Sequence, residues 1–104
     1  MYKLFGILKR PEGVSLEDFR RWWLEEHSIL VKRFPGLQKY VINLATSGDQ
    51  RYDGVAEVWF ETKEDMEKIF SSSAGQTARQ SATSHSGEIV VLFSEEHVMV
   101  EGKG

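Results

Sequence analysis

His27 and Tyr40 are the two residues of this 104-residue chain whose types and placement best suit proton chemistry. Imidazole titrates nearest to neutral pH, and a phenol can donate to a developing oxyanion. At 100° per residue, Ser15 to Phe34 makes an amphipathic helix with Leu16, Phe19, Trp23, Leu30 and Phe34 in one arc and His27 near its centre. A core-facing imidazole either finds partners for its ring nitrogens or carries a desolvation cost of about 1–3 kcal/mol. One reading is therefore a satisfied core histidine, and the other is a general acid/base facing a pocket. Tyr40 follows after one tight turn and shares a strand face with Ile42 and Leu44, so its ring is expected to point inward. It too has a plain alternative, a structural tyrosine with its hydroxyl at the sheet edge. Together the pair would take a proton from carbon or oxygen and stabilise the anion, with neither metal nor organic cofactor.

The elements that must hold these groups can be read in outline. Lys3 to Lys9 is a first strand, with Leu4 and Leu8 on one side and Phe5 and Ile7 on the other, ended by Pro11-Glu12-Gly13. Ser15 with Asp18 caps the helix, and Pro35-Gly36 stops it. Leu37 to Ala45 is a second strand, with Tyr40, Ile42 and Leu44 opposite Leu37, Val41 and Ala45. Val55 to Glu61 is a third, with Val55 and Trp59 opposite Ala56, Val58 and Phe60. Thr62 and Asp65 cap a second helix with a stripe of Met66, Ile69 and Phe70. Ala74 to Ser84 reads as a weakly packed helix or a lid, Ile89 to Phe93 as a short apolar run, and His97 to Glu101 as the last strand.

This order predicts an α+β, ferredoxin-like βαββαβ arrangement: one antiparallel sheet with both helices on one face. Strands that are apolar on both sides imply a sheet covered twice. The bare face is thus expected to meet a second copy, giving a homodimeric α+β barrel. A chain this short makes one domain, with enough buried surface for a core but not for a large internal cavity as well.

Composition removes several functions. Thirteen basic against 16 acidic residues leave no basic face, so nucleic acid is not an expected partner. With no cysteine, thiolate chemistry and Cys-ligated metals are out. His27, His85 and His97 lack ligand spacing, and Glu95-Glu96-His97 on a strand would point to alternating faces, so no metal is expected. Without a signal-like or membrane-length apolar run, the expectation is a cytoplasmic protein with no membrane partner, acting on a small-molecule ligand.

Trp23, Asn43, Trp59 and Phe60 are further candidates for contacting such a ligand, although adjacent Trp59 and Phe60 point to opposite sides and at most one can face the helix. Asn43 breaks the Val41/Ala45 face. Glu57 interrupts an apolar strand and needs a partner, most simply a salt bridge across the dimer.

The run FRRWWLEEHSILVKRFPGLQKYVINL, followed by GVAEVWFETKEDMEKIF and later by EEHVMV, resembles the EthD family of dimeric α+β barrel proteins. That family is named for gene clusters that degrade ethyl tert-butyl ether. The chain is also similar to the methylmuconolactone methylisomerase type, a cofactor-free enzyme on small lactones. There, a first-helix histidine and a tyrosine on the following strand face the substrate, which the resemblance carries onto His27 and Tyr40. Its other polar pocket residues have no clear match after the third strand. The resemblance implies a cofactor-independent isomerase, cyclase or dehydratase on a small, largely apolar oxygenated metabolite. Alternatives are an EthD-type oxidoreductase or monooxygenase component and a non-catalytic ligand-binding dimer. The first strand lacks the asparagine used by haem-degrading relatives of this fold.

Overall fold

In the computed structural model, which describes residues 1–102, the four strands are β1 (Tyr2–Lys9), β2 (Leu37–Leu44), β3 (Gly54–Phe60) and β4 (Glu88–Glu95). They form one antiparallel sheet in the order β2-β3-β1-β4. Between β1 and β2 run three consecutive helical segments, Leu16–Arg21, Trp22–His27 and Ser28–Val31, together α1. Between β3 and β4 lie α2 (Lys63–Glu67), a 3-10 turn (Ile69–Ser71) and α3 (Ser73–His85). The result is the expected ferredoxin-like α+β fold.

Local signals explain most boundaries. Ser15 Oγ accepts from the Asp18 N–H at 3.1 Å, and Thr62 Oγ1 accepts from the Asp65 N–H at 3.0 Å, so both caps form as read from the sequence. Gly36 takes φ 76° after the helix, a conformation that strains residues with a side chain. The weak segment before β4 is a helix capped by Ser72 Oγ on the Gly75 N–H. Its Gly75 must stay glycine, because a Cβ there would sit 1.8 Å from the Ile69 carbonyl oxygen.

Three expectations are corrected. The last strand is Glu88–Glu95, whereas residues 97–101 form no strand. The apolar run Ile89 to Phe93 is the middle of that strand, whose edge position tolerates polar Ser94 and Glu95. A bulge between Leu37 and Lys39 moves Leu37 from the Val41 face to the helix face, where it packs, like Tyr40, against the core. Glu57 is paired within its own chain: it meets Lys3 Nζ at 3.0 Å and accepts from Asn43 Nδ2 at 2.9 Å.

One helical difference bears on the site. Trp22–His27 winds as a π-helical turn, with the Ser28 N–H donating to the Trp23 carbonyl five residues back. Such a turn accommodates one extra residue and rotates everything after it. Trp22, Trp23, His27 and Ser28 are all buried as a result, and Val31 takes the core position that an unbroken 3.6-residue period assigns to Leu30.

Between helices and sheet the core divides in two. One cluster holds Leu4, Val58, Phe60, Met66 and Ile69 with Val31 and Phe34, and the other holds Leu8, Phe19, Trp22, Trp23 and Ala56. The opposite face of the sheet carries Phe5, Ile7, Val41, Val55, Val90 and Leu92, with Leu92 53% exposed.

Candidate active site

The gap between the two core clusters is a cavity of about 320 Å³. It exists because the side chains around it are small. Gly6 on β1 and its cross-strand partner Ala56 leave the sheet floor low, while Ala78 and Ala82 set α3 back. Chain length argued against a large internal cavity; four small residues from three elements, with an opening to solvent, supply one.

His27, Tyr40 and Trp23 all line this cavity. His27 follows Trp23 by four residues, which keeps both on one side of the helix, and the parity of β2 brings Tyr40 up from the sheet. Trp23 is held by Gly54, where a Cβ would lie 2.6 Å from the indole ring and from the Asn43 carbonyl oxygen. Asn43 and Trp59 face the other side of the sheet. Asn43 bonds Glu57, and the Trp59 ring lies 4.3 Å under Lys3 Nζ and 4.8 Å from Lys39 Nζ. Both are therefore corrected as pocket residues, since period two in a strand puts them opposite Tyr40 and Phe60. Phe60 is on the helix side but fully buried in the core, stacked on Phe34 at 6.4 Å, and is absent from the cavity wall.

The electrostatics set His27 and Tyr40 apart. His27 is 7% exposed, and burial pushes its pKa down to about 4, with the charge of His85 acting in the same direction. Its ring stacks on Trp22 at 4.9 Å, and Trp22 stacks on His85 at 4.9 Å on its own account. His27 Nδ1 lies 3.2 Å from Ser81 Oγ. In the tautomer protonated at Nδ1, that N–H donates to Ser81 and Nε2 carries the free lone pair. Burial raises the Tyr40 pKa well above the usual phenol range, the nearby Trp23 N–H offsetting this only slightly. At pH 7 both groups are thus neutral: a lone-pair base and an O–H donor.

Tyr40 Oη and Trp23 Nε1 are buried, and neither has a formed hydrogen bond among the described residues. The two lie close enough to influence each other without meeting in good geometry. An orphaned buried donor costs about 1–3 kcal/mol. Both belong to residues of the cavity wall, which makes them unspent donor capacity next to that space.

Ser81, Arg79 and Thr83 are site residues that the sequence reading missed. All come from α3, where a Ser/Thr/Gly/Ala-rich composition hides a helix with a small-residue face (Gly75, Ala78, Ala82) spaced at three and four residues. That spacing was the available signal. Among the described residues no group of three His, Asp or Glu side chains is arranged to hold a metal ion, and no helix is long and apolar enough to cross a membrane.

Comparison with known proteins agrees with this architecture. The sequence pattern of the EthD domain matches residues 11–83, well over half of the chain. The chain belongs to the EthD family. An ethyl tert-butyl ether degradation (EthD) family protein from Bacillus halodurans superposes with a TM-score of 0.82 at 19% identity, covering 93% of this chain and 99% of that one. A dimeric protein of ferredoxin-like fold from Bacteroides fragilis gives 0.69 at 12% identity, covering 91% and 95%. A Nitrosomonas europaea protein provisionally described as an antibiotic biosynthesis monooxygenase gives 0.63 at 16% identity, covering 92% and 98%. At these identities the likeness is one of fold. None of the curated proteins compared matches this EthD chain.

Proposed function

We propose that this EthD protein is a cofactor-independent acid/base enzyme acting on a small, largely apolar carbonyl compound, with His27 as base and Tyr40 and Trp23 as oxyanion donors. What supports the reading is the pairing of one neutral imidazole with two partnerless buried donors around one cavity. Its chemistry is an enolisation. The His27 Nε2 lone pair takes a proton from carbon beside the carbonyl, the C–H electrons form C=C, and the carbonyl π electrons move to oxygen. The oxyanion then receives the Tyr40 O–H and Trp23 N–H. Returning the proton to another carbon completes an isomerisation with no net redox change.

A base whose pKa lies near 4 is weak in the empty site. It gains strength as reaction proceeds, because the imidazolium forms beside a new anion in a low-dielectric setting. Ser81 Oγ accepts from Nδ1–H in the tautomer that leaves the Nε2 lone pair free, and the Trp22 ring fixes the plane of the imidazole.

We also infer a homodimer through the open sheet face, whose exposed Val90 and Leu92 adjoin Phe5 and Ile7. Dimeric neighbours of the same fold support this. Introducing a carboxylate at Leu92 is expected to shift sedimentation to the monomer.

The catalytic test uses α-angelica lactone in D₂O, followed by NMR for deuterium uptake and conversion to the β isomer. Enzyme-dependent exchange that vanishes in His27→Gln and falls about 10²-fold in Tyr40→Phe is expected. Binding without exchange would leave a ligand-binding protein, and exchange that persists in His27→Gln would remove the base. An oxidative role, as the description of the Nitrosomonas neighbour suggests, predicts O₂ consumption instead.

A further inference from the structure

Among the described residues, Arg79 is the one member of the cavity wall that carries a formal charge at neutral pH, since His27 is uncharged there. It lines the cavity yet is exposed, so it stands where the cavity opens to solvent. Its guanidinium carbon lies 5.1 Å from the centroid of the Phe70 ring, and Phe70 packs edge-on against Phe93 of β4 at 6.0 Å. The group is therefore braced across the mouth by stacking. Among the described residues no carboxylate lies within ion-pair distance of it, although acidic residues outnumber basic ones in the chain. The neighbouring Thr83 hydroxyl is already committed to the Arg79 carbonyl at 2.9 Å, which leaves the guanidinium as the polar recognition element of the rim.

We propose that the ligand of this site is a small apolar acid, its carboxylate held by Arg79 at the mouth and its carbonyl end lying beside His27 and Tyr40. This rests on the enolisation reading and adds to it the class of substrate. The division of the cavity fits such a molecule. An apolar body fills the interior, where burial is favourable, while the ionised end stays at the rim and need not be fully stripped of water. A planar, partnerless guanidinium matches a carboxylate through two parallel N–H donors. A solvent-exposed pair of this kind is modest in strength, so the preference expected is about tenfold and not thousands.

The test compares trans-cinnamate with its neutral isostere cinnamamide by calorimetric titration at pH 7.5 and 0.15 M salt. In the wild-type protein the acid is expected to bind about tenfold more tightly than the amide. In Arg79→Gln the ratio should fall to about one, with the amide unchanged, and Arg79→Lys should retain part of the preference. Equal affinities in the wild type, or a preference surviving in Arg79→Gln, would overturn the assignment. The pocket itself is read separately through the amide: amide binding that is lost on filling the cavity at Gly6 upholds the enolisation site even where the carboxylate preference fails. Failure of both probes to bind overturns both proposals.

Discussion

Filling the cavity from its floor is the sharpest perturbation of this protein. Gly6 faces the cavity from β1, and a Cβ there would meet only the Ala56 Cβ at 4.0 Å, an ordinary contact. Gly6→Val adds three carbons, worth about 2.4 kcal/mol at ~0.8 kcal/mol per buried methylene. Replacing glycine in a strand by a β-branched residue contributes up to about 1 kcal/mol more. Solvent reaching the cavity and crowding of the second methyl reduce this, so a net gain of about 1–2 kcal/mol is expected. For a domain near this size each kcal/mol moves Tm by about 4–8 °C, so the melting point should rise by about 5–15 °C at fixed protein concentration. The same valine occupies space that a ligand needs, and the cinnamamide Kd should weaken at least tenfold. Scanning calorimetry and titration on one preparation check both halves. An unchanged or lowered Tm together with undiminished binding would mean that no usable void adjoins Gly6, and the site as described would fall.

Other outcomes follow from the same geometry. Tyr40→Phe removes an orphaned hydroxyl, so stability to urea should hold or rise by up to about 1 kcal/mol while lactone exchange falls about 10²-fold. Gly54→Ala would drive a Cβ to 2.6 Å from both the Asn43 carbonyl and the Trp23 ring, and should cost about 1–3 kcal/mol in denaturant unfolding with a changed tryptophan emission. Because the His27 pKa falls to about 4 on folding, the unfolded chain binds the extra proton between about pH 6.5 and 4. Stability contributed by the neutral ring is therefore complete above pH 6.5 and is lost on acidification, by about 3 kcal/mol at the lower limit. Comparing wild type with His27→Gln at pH 7 and pH 4.5 isolates this from Glu57, Glu88 and Glu96. Their pKa values are also lowered, by hydrogen bonds and ion pairs that outweigh burial, and they lose stabilisation at lower pH.

The sequence carried the fold through strictly local regularities. The division of β1 and β3 residues between the two sheet faces, the Ser15 and Thr62 caps and the Pro35-Gly36 stop each involve neighbours a few residues apart, and each formed as expected. Asn43 was legible and misjudged: odd-numbered with Val41, it had to oppose Tyr40 by strand parity alone. Two features lay beyond local reading. The π turn violates the 3.6-residue period used to draw the stripe, so Leu30 was placed where Val31 packs. The cavity is defined by missing volume at Gly6, Ala56, Ala78 and Ala82, which meet only once the chain has folded. Arg79 and Ser81 were hidden for the same reason, since a small-residue helix looks like a loop until something is known to pack against it.

The irregular winding within α1 also makes its one surplus residue dispensable to the seating of the helix. Excising one residue, Leu24 or Glu25, would let the backbone close into an uninterrupted ladder and spare it an awkward turn. Because the wide turn already absorbs the surplus residue, everything downstream would keep its present side against the sheet. The indole of Trp23 and the imidazole of His27, then three residues apart, would still be neighbours on one helix face. A shortened chain is expected to keep Val31 in the core and to melt no lower.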